Sequence, residues 1–306
     1  MHFNFFRLQT LLLPLAVATM MTTACTDGSG NSDADSDTNP TTTATATDST
    51  TATATDSSSS SSSSSGGETE AAMGACMTYC TNALANCSGD NSVYADMDQC
   101  MSACAAMPEG NEGDVDGDSA WCRAYHAGDP AKGDPGTHCQ HASANGGGAC
   151  GDLCEAYCDQ TMANCSAANE IYATRDDCMA TCAAFPNDGA YNATDGNNVQ
   201  CRTYHASFPA AGDADTHCQH ASANGGGACG DLCEGYCSQV MANCGDLYAD
   251  NATCMTACAA FPTDGAWNDT SGNSVQCRTY HASFPAAGDA ATHCAHAAED
   301  GGGVCQ

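Results

Sequence analysis

Eight cysteines recur three times along this chain with nearly the same spacing, and no other feature restricts its folding as strongly. Cys76, Cys80, Cys87, Cys100, Cys104, Cys122, Cys139 and Cys150 form the first set. Cys154, Cys158, Cys165, Cys178, Cys182, Cys201, Cys218 and Cys229 form the second, and Cys233, Cys237, Cys244, Cys254, Cys258, Cys277, Cys294 and Cys305 the third. Each unit opens at C-x3-C and closes at G-G-G-[AV]-C, which defines modules at residues 75–150, 151–229 and 230–306. In an exported chain an even set reads as disulfides, four per module. The modules need them. From Cys76 onward there are only four Phe, four Leu, six Val and one Ile, a composition that ordinarily belongs to disordered chains. Crosslinks contributing roughly 2–4 kcal/mol each replace the core that such a sequence cannot build.

The chain has 25 cysteines, so one is left over, and it is Cys25. Arg7 stands in an N-terminal stretch without acids, Leu11 to Met21 are mostly apolar, and Thr22-Thr23-Ala24 precede the cysteine. The apolar run is too short for the roughly 20 residues of a membrane span and reads as a signal peptide over residues 1–24. Its end resembles the lipobox of bacterial lipoproteins, although Thr22 stands where that family has Leu, Val or Ile. The resemblance implies diacylation of Cys25, attachment to a membrane through that lipid, and, with Thr26 following, sorting to the outer membrane or cell surface. Simple secretion after cleavage at Ala24 is the alternative. Residues 25–74, with the unbroken run Ser57 to Ser65, hold almost nothing to bury and are expected to form a disordered tether. As a flexible coil such a tether spans on the order of 40 Å.

Each module is expected to be small, all-α and loop-rich. Asp152 with Glu155, and Asp231 with Glu234, have the spacing of capping boxes. Tyr157, Cys158, Met162 and Cys165 fall on one helical face, and a second helix is expected near Thr174 to Ala184, stopped by Phe185-Pro186. Two antiparallel helices carrying C-x3-C can be stapled twice, outer cysteine to outer cysteine: Cys76 to Cys104 and Cys80 to Cys100, Cys154 to Cys182 and Cys158 to Cys178, Cys233 to Cys258 and Cys237 to Cys254. This resembles the twin C-x3-C hairpin of small mitochondrial intermembrane-space chaperones, in spacing alone. The last four cysteines of a module allow three pairings; the preferred one joins Cys87 to Cys122 and Cys139 to Cys150. Short helices are expected around C-R-x-Y-H-A and T-H-C-x-H-A, separated by a Pro or Gly break.

The residues with the most chemistry are histidines at identical spacings: His126, His138 and His141; His205, His217 and His220; His281, His293 and His296. Two imidazoles one turn apart can face one metal, and with the cysteines oxidised the ligands left favour Zn²⁺ or Cu²⁺. The plainer alternative is that duplication copied histidines that merely pack. Arg123, Arg202 and Arg278 follow the sixth cysteine of each module and, in so acidic a chain, are expected to pair with carboxylates. Asp114-Val115-Asp116-Gly117-Asp118 has the alternating acids of a calcium loop, without its glycine at position six or glutamate at twelve.

A net charge of −31 would be repelled by phosphate backbones, which excludes nucleic acid. There is no G-x-S-x-G, H-E-x-x-H, phosphate loop or C-x-x-C pair. The expectation is therefore a non-enzymatic surface lipoprotein whose repeats bind an extracellular partner multivalently or serve as a spacer, without a cofactor. The alternative is a metal-binding protein with one ion per histidine triad. Replacing Cys25 by Ser should abolish both radioactive fatty-acid labelling and detergent partitioning of the mature protein. Labelling that survives the substitution rules the anchor out.

Overall fold

Capping residues start the helices where the sequence places them. In module 2 Asp152 accepts the Cys154 N–H while Glu155 accepts the Asp152 N–H, and Asp231 with Glu234 repeats the box in module 3. The computed structural model describes residues 65–306. The expected signal peptide, Cys25 and the tether up to residue 64 lie outside the described residues. Module 1 contains α1 (Ser65–Asn86), α2 (Met97–Cys104), α3 (Ala120–Ala127), α4 (Asp129–Gly133) and α5 (Pro135–His141). Module 2 repeats them as α6 (Leu153–Asn164), α7 (Arg175–Cys182), α8 (Val199–Ala206), α9 (Phe208–Gly212) and α10 (Ala214–Ala221). Module 3 follows with α11 (Leu232–Asn243), α12 (Asn251–Cys258), α13 (Val275–Ala282), α14 (Phe284–Gly288) and α15 (Ala290–Ala297). The described residues contain no strand.

Two local expectations are revised. The tether was expected to run to residue 74, yet α1 begins at Ser65. Glu68-Thr69-Glu70-Ala71-Ala72-Met73 combines strong helix formers with acids near the positive end of the helix dipole. The break after C-R-x-Y-H-A is itself a helical turn, because Pro209 and Pro285 occupy the first turn of α9 and α14, where a missing N–H costs nothing.

The twin staples form as expected, with Cα–Cα distances of 5.6–5.8 Å: Cys76–Cys104, Cys80–Cys100 and their equivalents. The other expected pairing is wrong. Cys87 joins Cys139 and Cys122 joins Cys150, with Cys165–Cys218, Cys201–Cys229, Cys244–Cys294 and Cys277–Cys305 alike. The reason lies in which ends of the helices meet. Asn86, last in α1, donates from its side chain to Ala127 O at 2.8 Å, so Cys87 sits at the far end of α3, where α4 and α5 close over it. Cys87, Ala131 and Cys139 pack there as a small buried cluster. Cys122 lies at the near end of α3, and the returning chain is drawn to it by Arg123. That side chain is fully buried and donates to Ser143 O and Ala144 O, each at 3.1 Å.

The turn that completes the return is the glycine run. Gly146, Gly147 and Gly148 have φ of 68°, 53° and 80°, three successive left-handed residues that only glycine adopts without strain. A Cβ on Gly147 would also meet the Gln140 carbonyl at 2.8 Å.

No disulfide crosses between modules, but the modules are not independent. Helix α9 of module 2 lies on α2 of module 1, and α14 of module 3 on α7 of module 2. Phe208 stacks edge-on to Tyr94, and Phe284 to Tyr172, with centroids 6.1 and 6.2 Å apart. Gln160 donates to Ala103 O and Gln239 to Thr181 O, both buried. Asn145 reaches Tyr191 O and Asn224 reaches Trp267 O. Changing Arg202 to Met should leave the buried carbonyls of Ser222 and Ala223 without a donor. Calorimetry should show a loss on the order of 3 kcal/mol, and an unchanged melting temperature would refute the role given to this side chain.

Candidate functional site: three histidine triads

Helix α3 carries His126 in its last turn, and α5 carries His138 and His141 one turn apart. The Cys122–Cys150 bond lies four residues before His126 and the Cys87–Cys139 bond one residue after His138, so both segments are pinned beside their imidazoles. The three rings converge. His126 Nδ1 is 2.9 Å from His138 Nδ1 and 3.4 Å from His141 Nδ1. In module 2 His205 Nδ1 is 2.9 Å from His217 Nδ1, and in module 3 His281 Nδ1 is 3.0 Å from His293 Nδ1. His220 and His296 complete the other triads, with ring centroids 4.6 and 4.8 Å from His205 and His281. In modules 1 and 2 the three possible ligand atoms all lie within 4.8 Å of one another.

The central ring is oriented from behind. His126 Nε2 lies 3.0 Å from Val115 O, His205 Nε2 3.1 Å from Thr194 O, and His281 Nε2 3.1 Å from Thr270 O. A carbonyl only accepts, so Nε2 carries the proton and Nδ1 presents its lone pair to the triad. Burial holds His205 down to about 4, and burial followed by the neighbouring imidazoles lowers His126, His141, His220 and His281 as well. These histidines are therefore neutral at pH 7. Cys122 and Cys150 also surround His126, but their sulfurs are committed to each other.

The arginines depart from expectation. Only Arg123 meets a carboxylate, Asp118 at 2.7 Å. Arg202 and Arg278 use Asn197 Oδ1 and Asn273 Oδ1 in the same place, and all three are held mainly by backbone carbonyls. Arg202 and Arg278 also lie over the rings of Phe185 and Phe261, 4.1 and 4.3 Å from their centroids. In the calcium-like segment Asp114 accepts the Asn111 N–H and Asp118 serves Arg123, so two of its acids have other work.

Two features were not anticipated from the sequence. Asp159 lies against Asp118 across the boundary of modules 1 and 2, and Arg175 pairs with it. Desolvation, then the hydrogen bond with Asp118, pushes Asp159 up to about 6. At the next boundary the equivalent pair is neutral: Asn197 donates to Ser238 Oγ at 2.9 Å. The second feature is a pair of like clefts where modules meet. One, of about 200 Å³, is lined by Tyr94, Tyr191, Tyr204 and Phe208 among others; its equivalent, of about 250 Å³, by Tyr172, Trp267, Tyr280 and Phe284. The signal for both was the presence of Phe208 and Phe284 where module 1 has Asp129.

A protein-family model described as the BfoA family C-terminal domain matches residues 38–153 and again 151–232, more than half of the chain. No curated protein and no solved structure matches.

Two titrations act on stability with opposite signs. Folding lowers His205 below its unfolded value near 6.5, so its contribution is full above that pH and is lost as pH falls toward 4. Folding raises Asp159 above its unfolded value near 3.9, so its contribution is full below that and is lost as pH rises through 6. Asp159→Asn should therefore raise the thermal midpoint by a few degrees at pH 7.5 and change it little at pH 4. Equal midpoints for the variant and the parent at both pH values would refute the raised value.

Proposed function

Taking as premise that the chain belongs to the BfoA C-terminal domain family, we propose that it is a non-enzymatic, surface-anchored scaffold whose stacked modules present repeated clefts to an extracellular partner. Its disulfide-bonded repeats belong to an oxidising compartment. Among the described residues no helix is long and apolar enough to cross a membrane. Anchoring through a lipid on Cys25, at the outer membrane, is the attachment that the sequence supports.

The observation that carries the reading is the docking of each module on the one before it. Phe208 and Phe284 fix neighbouring modules through the same contact, which sets two aromatic-walled clefts in a rigid relation. Two sites held at a fixed distance bind a repetitive partner with greater avidity than either alone, without new contacts. The acidic surface turns away polyanions and anionic membranes.

Screening the purified chain over arrays of extracellular polymers and peptides should give retention that falls at least about tenfold when Tyr204 and Tyr280 are both changed to Ala, and less when either is changed alone. Retention insensitive to both changes, or a turnover activity in the purified protein, would overturn the reading.

A further inference from the structure

We propose that each module carries a three-histidine site for one divalent transition-metal ion, bound through Nδ1 of His126, His138 and His141, of His205, His217 and His220, and of His281, His293 and His296. Three observations support it. The Nδ1 separations between the first two histidines are 2.9, 2.9 and 3.0 Å. Three nitrogens each about 2.0–2.1 Å from a tetrahedral ion are about 3.4 Å apart, so the first two nitrogens of each triad stand within about half an ångström of that spacing, and in module 1 the His126–His141 pair matches it at 3.4 Å. The central imidazole has its tautomer fixed by a backbone carbonyl on Nε2, as the outer partner of a ligating histidine does.

The third observation is the unanswered nitrogen. A hydrogen bond between His205 Nδ1 and His217 Nδ1 satisfies two rings and leaves the third out. His220 Nδ1 and, in module 3, His296 Nδ1 are buried atoms without any hydrogen-bond partner. A pair of packed imidazoles has no use for a third ring aimed at the same point; an ion does.

Binding needs no net proton release. His205 already offers its Nδ1 lone pair. The proton shared between His205 Nδ1 and His217 Nδ1 belongs to His217, and moving it to His217 Nε2 through solvent frees the second lone pair. Two of the three ligands in each triad are only half-buried, so a fourth position stays open to water or to a donor atom from a partner. The set of three imidazoles suits Zn²⁺ and Cu²⁺ and not Ca²⁺ or Mg²⁺, which take oxygen.

The test uses the full mature chain stripped with a chelator, then dialysed against Zn²⁺ and assayed by elemental analysis and calorimetry. Three zinc ions per chain are expected. His217→Gln should reduce this to two, and His138→Gln, His217→Gln and His293→Gln together should abolish binding. These outer histidines are chosen because they are half-exposed, and a non-reducing disulfide map with circular dichroism verifies folding. Substituting Co²⁺ should give visible ligand-field bands that the triple variant lacks. Folded protein that takes up no zinc overturns the proposal, as does zinc retained in full by the triple variant, which would then sit on surface carboxylates.

Discussion

Arg123, Arg202 and Arg278 enter the centre of their modules and answer carbonyls that would otherwise be buried without donors. An isolated buried charge costs several kcal/mol, and so do orphaned backbone acceptors. Here each removes the other's penalty. The consequence is geometric as well as energetic. Holding residues 143–144 against the start of α3 returns the chain toward Cys122, and the three left-handed glycines then place Cys150 beside it. The same return lays α5 along α3 and so sets His138 and His141 beside His126. It also leaves the Asn145 side chain facing module 2, where it meets the Tyr191 carbonyl.

What the sequence made legible was what local periodicity decides. Helix caps and the twin staples depend on residues a turn or two apart, so Asp152, Asp231 and the C-x3-C pairs could be read directly. The remaining disulfides depend on which ends of α1, α3 and α5 approach, and that is decided by Asn86 and Arg123 acting over some 20 to 40 residues. Charge balance misled for a related reason. In so acidic a chain the arginines were expected to seek carboxylates, yet two of three are satisfied by carbonyls and an asparagine, because a buried fork needs acceptors in the right directions more than it needs a countercharge.

The copies differ most where they touch. Module 1 has Asp129 where the others have Phe208 and Phe284, and its exposed pair with Lys132 adds little to stability. Modules 2 and 3 use that position to dock on the preceding one. Asp118 against Asp159 at the first boundary becomes Asn197 and Ser238 at the second, a neutral hydrogen bond in place of two neighbouring carboxyl groups. Repeat proteins derive stability from such nearest-neighbour contacts as much as from each unit. The stability of the three modules therefore resides in the boundaries and in the disulfides together.

The spacing of the histidines was visible in the sequence, but their convergence was not, because twelve residues and an intervening helix separate the first from the second. Convergence also explains how the triads differ from structural zinc sites. Small domains without a core commonly obtain their fold from the metal and unfold when it is removed. In these modules four disulfides already supply that constraint. An ion bound there would stabilise the module by mass action alone and leave without unfolding it. With half-exposed outer ligands, such a site would exchange its ion with the surroundings.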